Sequence, residues 1–235
     1  MDELSIPYGD GSVVAIAEVP AGAQWLYVVA HGAGAGMRHR FMADIAGRLA
    51  GHGVATLRYE YPYMTQGSRR PDPGPKCESC TRAVVTWAAE RWPGLRIAAG
   101  GKSMGGRMTS QAQAREPLPR TEAIVFLGFP LHPAGAPAVK RAEHLDDVHI
   151  PMLFLQGTRD ALADLTLLTP IVERLPTATL HIVEHADHSF AVLKRSGRTG
   201  DEVMAELASR TAGFLCGDGG DASHAEARGR GEGLR

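Results

Sequence analysis

Three residues in this chain have the types and settings that acyl chemistry needs. Ser103 lies in Gly101-Lys102-Ser103-Met104-Gly105, a G-x-S-x-G inside the stretch "AAGGKSMGGRM". A serine hydroxyl is a weak nucleophile at neutral pH. It needs a base within hydrogen-bond reach and an acid to orient that base. Asp160 ends "PMLFLQGTRD" and His188 sits in "HIVEHADHSF", so the chain order is Ser, Asp, His. That is the order found where a serine sits on a tight strand-to-helix corner. The oxyanion formed on attack also needs donors. Met104, next after the serine, offers one backbone N–H. The stretch "VVAHGAGAGM" offers the second, from Ala33 or, failing that, Gly34.

Each of these residues has a plainer reading. Ser103 could belong to a simple glycine-rich turn. Asp160 could cap a following helix, and Asp164 competes with it for the acid role. His185 and His181 compete with His188. The spacing of the three histidines invites a metal, but His181 falls within a strand and no carboxylate pattern completes a site. Asp187, adjacent to His188, reads as a loop-shaping residue. His31 reads as structural, its ring bonding backbone to hold the glycine-rich loop. Lys102 could draw anionic substrates or point away. Tyr59 and Tyr61, in "LRYEYPYM", could line a substrate pocket or pack a loop, and Arg107 could pair with a carboxylate of that loop. Cys77 and Cys80 form a C-x-x-C after "RRPDPGPK" and open an apolar helical stretch, so they read as helix packing.

These residues need a scaffold, and the chain alternates strand and helix patterns. "QWLYVVA", "VATLRYE", "LRIAAGG", "EAIVFLGFP", "PMLFLQG" and "ATLHIVE" read as strands. Helical patterns lie between them, including "FMADIAGRLAGHG", with Phe41, Ile45 and Leu49 four apart. A helix is expected from just after Ser103 to near Pro117, and another interrupted or started near Pro170. "SVVAIAEV" reads as half of an antiparallel edge hairpin. Apolar strands alternating with helices predict an α/β fold, a mainly parallel sheet with helices on both faces. Ligands bind at the carboxyl ends of such strands, where Ser103, Asp160 and His188 all fall.

Composition sets limits on the rest. Hydrophobic residues make up 44% of the 235, enough for a sizeable core. The formal net charge of -1 gives no electrostatic reason to expect nucleic acid or an anionic membrane as partner. No apolar run approaches the ~20 residues a membrane helix needs. "MDELSIPYGDG" lacks the order of a signal peptide, so a cytoplasmic protein is the expectation. Residues 1–216 read as one domain. The Gly- and charge-rich stretch from Gly217 onward reads as a disordered tail.

Together, "HGAGAGM", "GGKSMGGRM", "LQGTRD" and "ADHSF" resemble the small α/β-hydrolases of the dienelactone-hydrolase-like group. More narrowly, they resemble the branch holding the hydrolase-like domains of a non-specific-lethal complex subunit and of a testis-expressed protein. The resemblance spans about Gln24 to Leu215. It implies Ser103 as nucleophile, Asp160 as acid and His188 as base, and leaves the substrate open. Dienelactone hydrolases proper use a cysteine nucleophile, and this chain has serine.

The expectation is a serine hydrolase acting on a small soluble acyl ester, without metal or organic cofactor and without a separate lid domain. The connection from Gly128 to Ile150 is too small for a lid and carries little apolar material, which predicts an open, shallow site. A non-catalytic interaction module and an acyltransferase are the alternatives.

Overall fold

The computed structural model describes residues 2–217. The expected disordered tail lies outside them. Eight strands form one sheet: β1 (Asp2–Tyr8), β2 (Gly11–Glu18), β3 (Trp25–Ala30), β4 (Val54–Tyr59), β5 (Arg96–Lys102), β6 (Thr121–Leu127), β7 (Met152–Gly157) and β8 (Ala178–Val183). Six helices accompany them: α1 (Arg40–Gly51), the short α2 (Pro62–Thr65), α3 (Gly74–Arg91), α4 (Met104–Arg115), α5 (Leu165–Arg174) and α6 (Gly200–Cys216). The strand order is β1-β2-β4-β3-β5-β6-β7-β8. The β1–β2 hairpin and the β2–β4 pair are antiparallel, and every pair from β4 to β8 is parallel.

Strands β3, β4 and β7 are buried along their whole length, which explains their unbroken apolar runs. Side chains still alternate between faces. In β6, Ala123, Val125 and Leu127 meet the α1 and α6 layer. Ile124 and Phe126 point the other way, toward α5 and the Gly128–Ile150 connection. The α3 helix and the start of the chain cover the remaining half of that second face.

Of the two readings of Pro170, the structure has the one inside a helix: it lies within α5. The helix starts at Leu165 because the Asp164 carboxylate accepts the Thr166 N–H at 2.9 Å, a side-chain cap. The Gly128–Ile150 connection contains a 3-10 segment, Lys140–Asp147. Most of its large apolar residues are anchors: Phe129, Leu131, Leu145 and Val148 are buried, as is Ala142, while Val139 is exposed. The anchors hold the connection down against α4 and α5. Among the described residues, no helix is long and apolar enough to cross a membrane.

Candidate active site

The corner after β5 is forced by close packing. A Cβ on Gly101 would lie 2.2 Å from the Ala30 carbonyl oxygen, and one on Gly105 would lie 2.5 Å from the same atom. Only glycine allows the β5–α4 junction to press against β3 this closely. Ser103, between them, has φ 50° and ψ −117°. Few non-glycine residues adopt this conformation, and it carries strain of about 1–3 kcal/mol. The strain lifts the side chain off the strand end and leaves α4 to begin at Met104.

Two other strand ends deliver the partners. The Ser103 hydroxyl lies 2.8 Å from His188 Nε2, and His188 Nδ1 lies 2.7 Å from Asp160 Oδ2. The Asp160 side chain is fully buried, and its other contacts fix its plane. Gln156 Nε2 donates to Oδ2 at 2.5 Å, and the Leu162 N–H donates to Oδ1 at 2.7 Å. Gln156 is fixed in turn, because its Oε1 accepts the Phe129 N–H. The arrangement assigns the His188 proton to Nδ1, which leaves Nε2 free to accept from serine. Asp187 shapes the turn, with Oδ1 accepting from Ser189 N, Ser189 Oγ and Ala191 N. Asp164, the competing acid, is occupied as the α5 cap. His185 is exposed on the loop, and His181 pairs with Glu206.

The glycine-rich loop after β3 is held against Ser103. A Cβ on Gly32 would lie 3.7 Å from Ser103 Cβ. His31 is completely buried beneath the loop. Its Nδ1 donates to the Gly32 carbonyl at 2.7 Å, and its Nε2 accepts the Tyr61 N–H at 3.1 Å. Burial lowers the pKa of His31, opposed by the Gly32 hydrogen bond and the Glu60 carboxylate. The ring is therefore a neutral strut. Glu60 also receives the Met37 N–H, closing the far end of the loop.

A model of the alpha/beta hydrolase domain matches residues 23–216 of the sequence. The chain belongs to the alpha/beta hydrolase family. Solved structures superpose on this chain at low identity and so show the fold alone. A dienelactone hydrolase from Anabaena variabilis has TM-score 0.72 at 20% identity, covering 92% of this chain and 97% of its own. An α/β serine hydrolase without lid from Xanthomonas campestris has TM-score 0.70 at 18% identity, covering 92% and 94%. Est1E from Butyrivibrio proteoclasticus, with ferulic acid bound, has TM-score 0.71 at 16% identity, covering 91% and 99%.

In this hydrolase a cleft of about 320 Å³ opens over Ser103 and His188. Ala33, Phe41, Met42 and Leu162 give it apolar walls, and Lys102 and His39 also border it. Ala33 borders the cleft. Met104 is the first residue of α4, so its N–H has no partner within the helix. Gly34 does not border the cleft, and its N–H donates to the Tyr63 hydroxyl at 3.3 Å.

Two sequence-based assignments are corrected. Tyr59 and Tyr61 do not line the pocket, because both are completely buried beneath α3. Each hydroxyl meets Thr81 Oγ1, and burial pushes both phenols far above their ordinary pKa. Arg107 forms no ion pair with the loop carboxylate. Glu60 faces His31 and Met37 instead, and Glu78, the acid whose charge acts on Arg107, is taken by Arg115 at 2.6 Å. The sequence reading missed the cleft walls Phe41, Met42 and Leu162, and also Gln156. An amide inside the otherwise apolar "PMLFLQG" was the available signal for Gln156.

Cys77 and Cys80 are buried in α3, as helix packing requires. Burial raises Cys77 to about 11 and also raises Cys80. Cys216 is exposed. Iodoacetamide at neutral pH is therefore expected to alkylate Cys216 in the folded protein and to spare the other two until denaturant is added. Peptide mass mapping reads this directly.

Proposed function

We propose that this protein is a serine hydrolase that cleaves ester bonds in small acyl substrates through an acyl-enzyme. One observation carries the reading: the unbroken chain of hydrogen bonds from Ser103 Oγ through both nitrogens of His188 to the buried Asp160. In the proposed reaction, His188 Nε2 takes the hydroxyl proton as Oγ attacks the carbonyl carbon. Asp160 stabilises the resulting imidazolium and keeps the ring oriented. The N–H groups of Met104 and Ala33 receive the oxyanion. His188 then gives its proton to the leaving alcohol. A water activated by the same nitrogen releases the acid and regenerates Ser103. No step calls on a metal or an organic cofactor.

The esterases among the structural neighbours support an ester as the scissile bond. The cleft size and the tied-down Gly128–Ile150 connection support short acyl groups. The four motifs support the narrower kinship with the branch of hydrolase-like domains found in a non-specific-lethal complex subunit and a testis-expressed protein.

A fluorophosphonate probe tests the reading. We expect a single adduct, mapped to the peptide containing Ser103. Acetyl and butyryl p-nitrophenyl esters should be turned over faster than the dodecanoyl ester. No adduct, or an adduct elsewhere, would favour the non-catalytic module. Preference for the dodecanoyl ester would remove the small-substrate part of the proposal.

A further inference from the structure

We propose that Lys102 is a positioning residue for His188, anchoring its loop through the main chain and setting the proton affinity of its ring. This rests on the serine-hydrolase reading. Lys102 is the last residue of β5, immediately before the nucleophile. Its ammonium crosses to the loop after β8 and donates to the main-chain carbonyl of His188 at 2.6 Å. The same ammonium lies 5.2 Å from the ring centre of Phe190 and 5.8 Å from that of Phe41. Those two rings stack on each other at 5.8 Å, so they wall in the charge. The strand that carries the serine is thereby tied to the residue that must reach that serine.

The position of the charge matters as much as the tether. Beside Gly128, a Cβ would fall 3.1 Å from Lys102 Nζ, 3.7 Å from Asp160 Oδ2 and 3.7 Å from His188 Cε1. Ammonium, carboxylate and imidazole thus converge on one point, and the missing side chain at Gly128 leaves them room. The Asp160 carboxylate attracts a positive charge on the imidazole. Lys102 opposes it, because a nearby like charge disfavours the imidazolium. The charged and titratable groups around the ammonium are His188 and Asp187 on its loop and Asp160 after β7; His39 borders the same cleft. Burial lowers Lys102 to about 8, opposed by Asp160 and Asp187. The lysine is therefore largely charged at neutral pH.

Three variants of the full chain separate charge, packing and fold. Lys102→Met keeps an apolar filler beside Phe41 and Phe190 but removes the charge and the donor. Lys102→Arg keeps both. Without the positive charge, His188 should hold its proton to higher pH. The acid limb of kcat/KM for p-nitrophenyl acetate should then move up by about one unit in Lys102→Met. The plateau rate should fall about tenfold from loss of the tether. In Lys102→Arg the acid limb should stay where it is in the unmodified protein. A role in packing alone would lower the melting temperature without moving the limb.

A second readout needs no turnover. The His188 ring is titrated by NMR in the unmodified protein and in Lys102→Met, with His188→Gln identifying its signal. A titration midpoint that rises in Lys102→Met supports the proposal, even if no ester is hydrolysed and the serine-hydrolase reading fails. An unchanged midpoint overturns it, whatever the activity. Equal limb shifts in Lys102→Met and Lys102→Arg also overturn it, because charge would then not be the cause.

Discussion

Replacing Ser103 by alanine is expected to lower kcat/KM for p-nitrophenyl acetate by about 10,000-fold or more and to abolish fluorophosphonate labelling. The substitution removes the atom that forms the acyl bond. It leaves the Met104 and Ala33 N–H groups and the cleft walls in place, so binding and some oxyanion stabilisation remain. The fold should survive. The hydroxyl's partner is the Nε2 of a half-buried histidine, and the backbone corner is unchanged. Alanine keeps the Cβ at φ 50°, so the strain remains too. Ser103→Gly should lose the same activity yet melt higher than Ser103→Ala, by about 1 kcal/mol, because glycine relaxes the corner. Calorimetry and ester assays on the two variants separate loss of the nucleophile from damage to the corner. Turnover in Ser103→Ala above about 1% of the unmodified rate would take Ser103 out of the mechanism.

Gly105→Ala is expected to be strongly damaging for a change of one methyl group. The added Cβ would meet Ala30 O at 2.5 Å, Ala30 C at 2.7 Å and His31 O at 2.7 Å. All three are main-chain atoms of the neighbouring strand and loop, which cannot swing aside as a side chain can. Either α4 moves off β3 or β3 distorts, and both routes shift the oxyanion loop. Destabilisation of about 3 kcal/mol or more follows from overpacking of this kind, equal to a fall of roughly 10 °C in Tm for a chain of this length. Gly47→Ala is the control. Gly47 sits exposed on α1 with nothing within 4 Å of its Cβ position. Alanine there should be neutral or stabilising by about 0.5–1 kcal/mol. If Gly105→Ala melts within a degree or two of the unmodified protein, the close approach of α4 to β3 is not what holds the corner.

The sequence was most legible where chemistry and local conformation demand the same residue. Glycines around a single serine, then an acid and a histidine just past apolar strands, could be read because each rule is local. The mainly parallel sheet and the β1–β2 hairpin followed from the same patterns, whereas the order of the strands, with β4 between β2 and β3, did not. Residues whose role depends on the direction of a side chain were not legible. Tyr59 ends a strand in the middle of the sheet. Whether its phenol faces a cleft or a helix depends on α3 lying over it, which no local pattern states. Lys102 could be named as a cleft residue. Its ammonium, however, finds a carbonyl 86 residues away in the chain. Phe41 was read as part of the periodic core face of its helix. Its place in the first turn, against Phe190, instead makes it a wall of the cleft. Pro170 left open whether it interrupts or starts its helix, because the cost of a proline in a helix is local; the Asp164 cap and the buried Leu168, Ile171 and Val172 outweigh it and carry α5 through the proline.

The span of the hydrogen-bond chain bears on how the protein comes to be active. Ser103 and His188 are 85 residues apart, and His188 and Asp160 are 28 apart. They meet only when β5, β6, β7 and β8 have paired side by side in register. Parallel pairings of this range close long loops and are slow to form. Helices such as α6, with its own capping box, depend on neighbouring residues and can form early. In a refolding chain the reactive serine therefore arises at the end, after far-ultraviolet circular dichroism has largely recovered. A nascent chain carries the whole "GGKSMGGRM" motif long before it has a nucleophile. Synthesis must reach β8 and its loop first, so on the proposed mechanism the protein passes most of its assembly without a reactive serine.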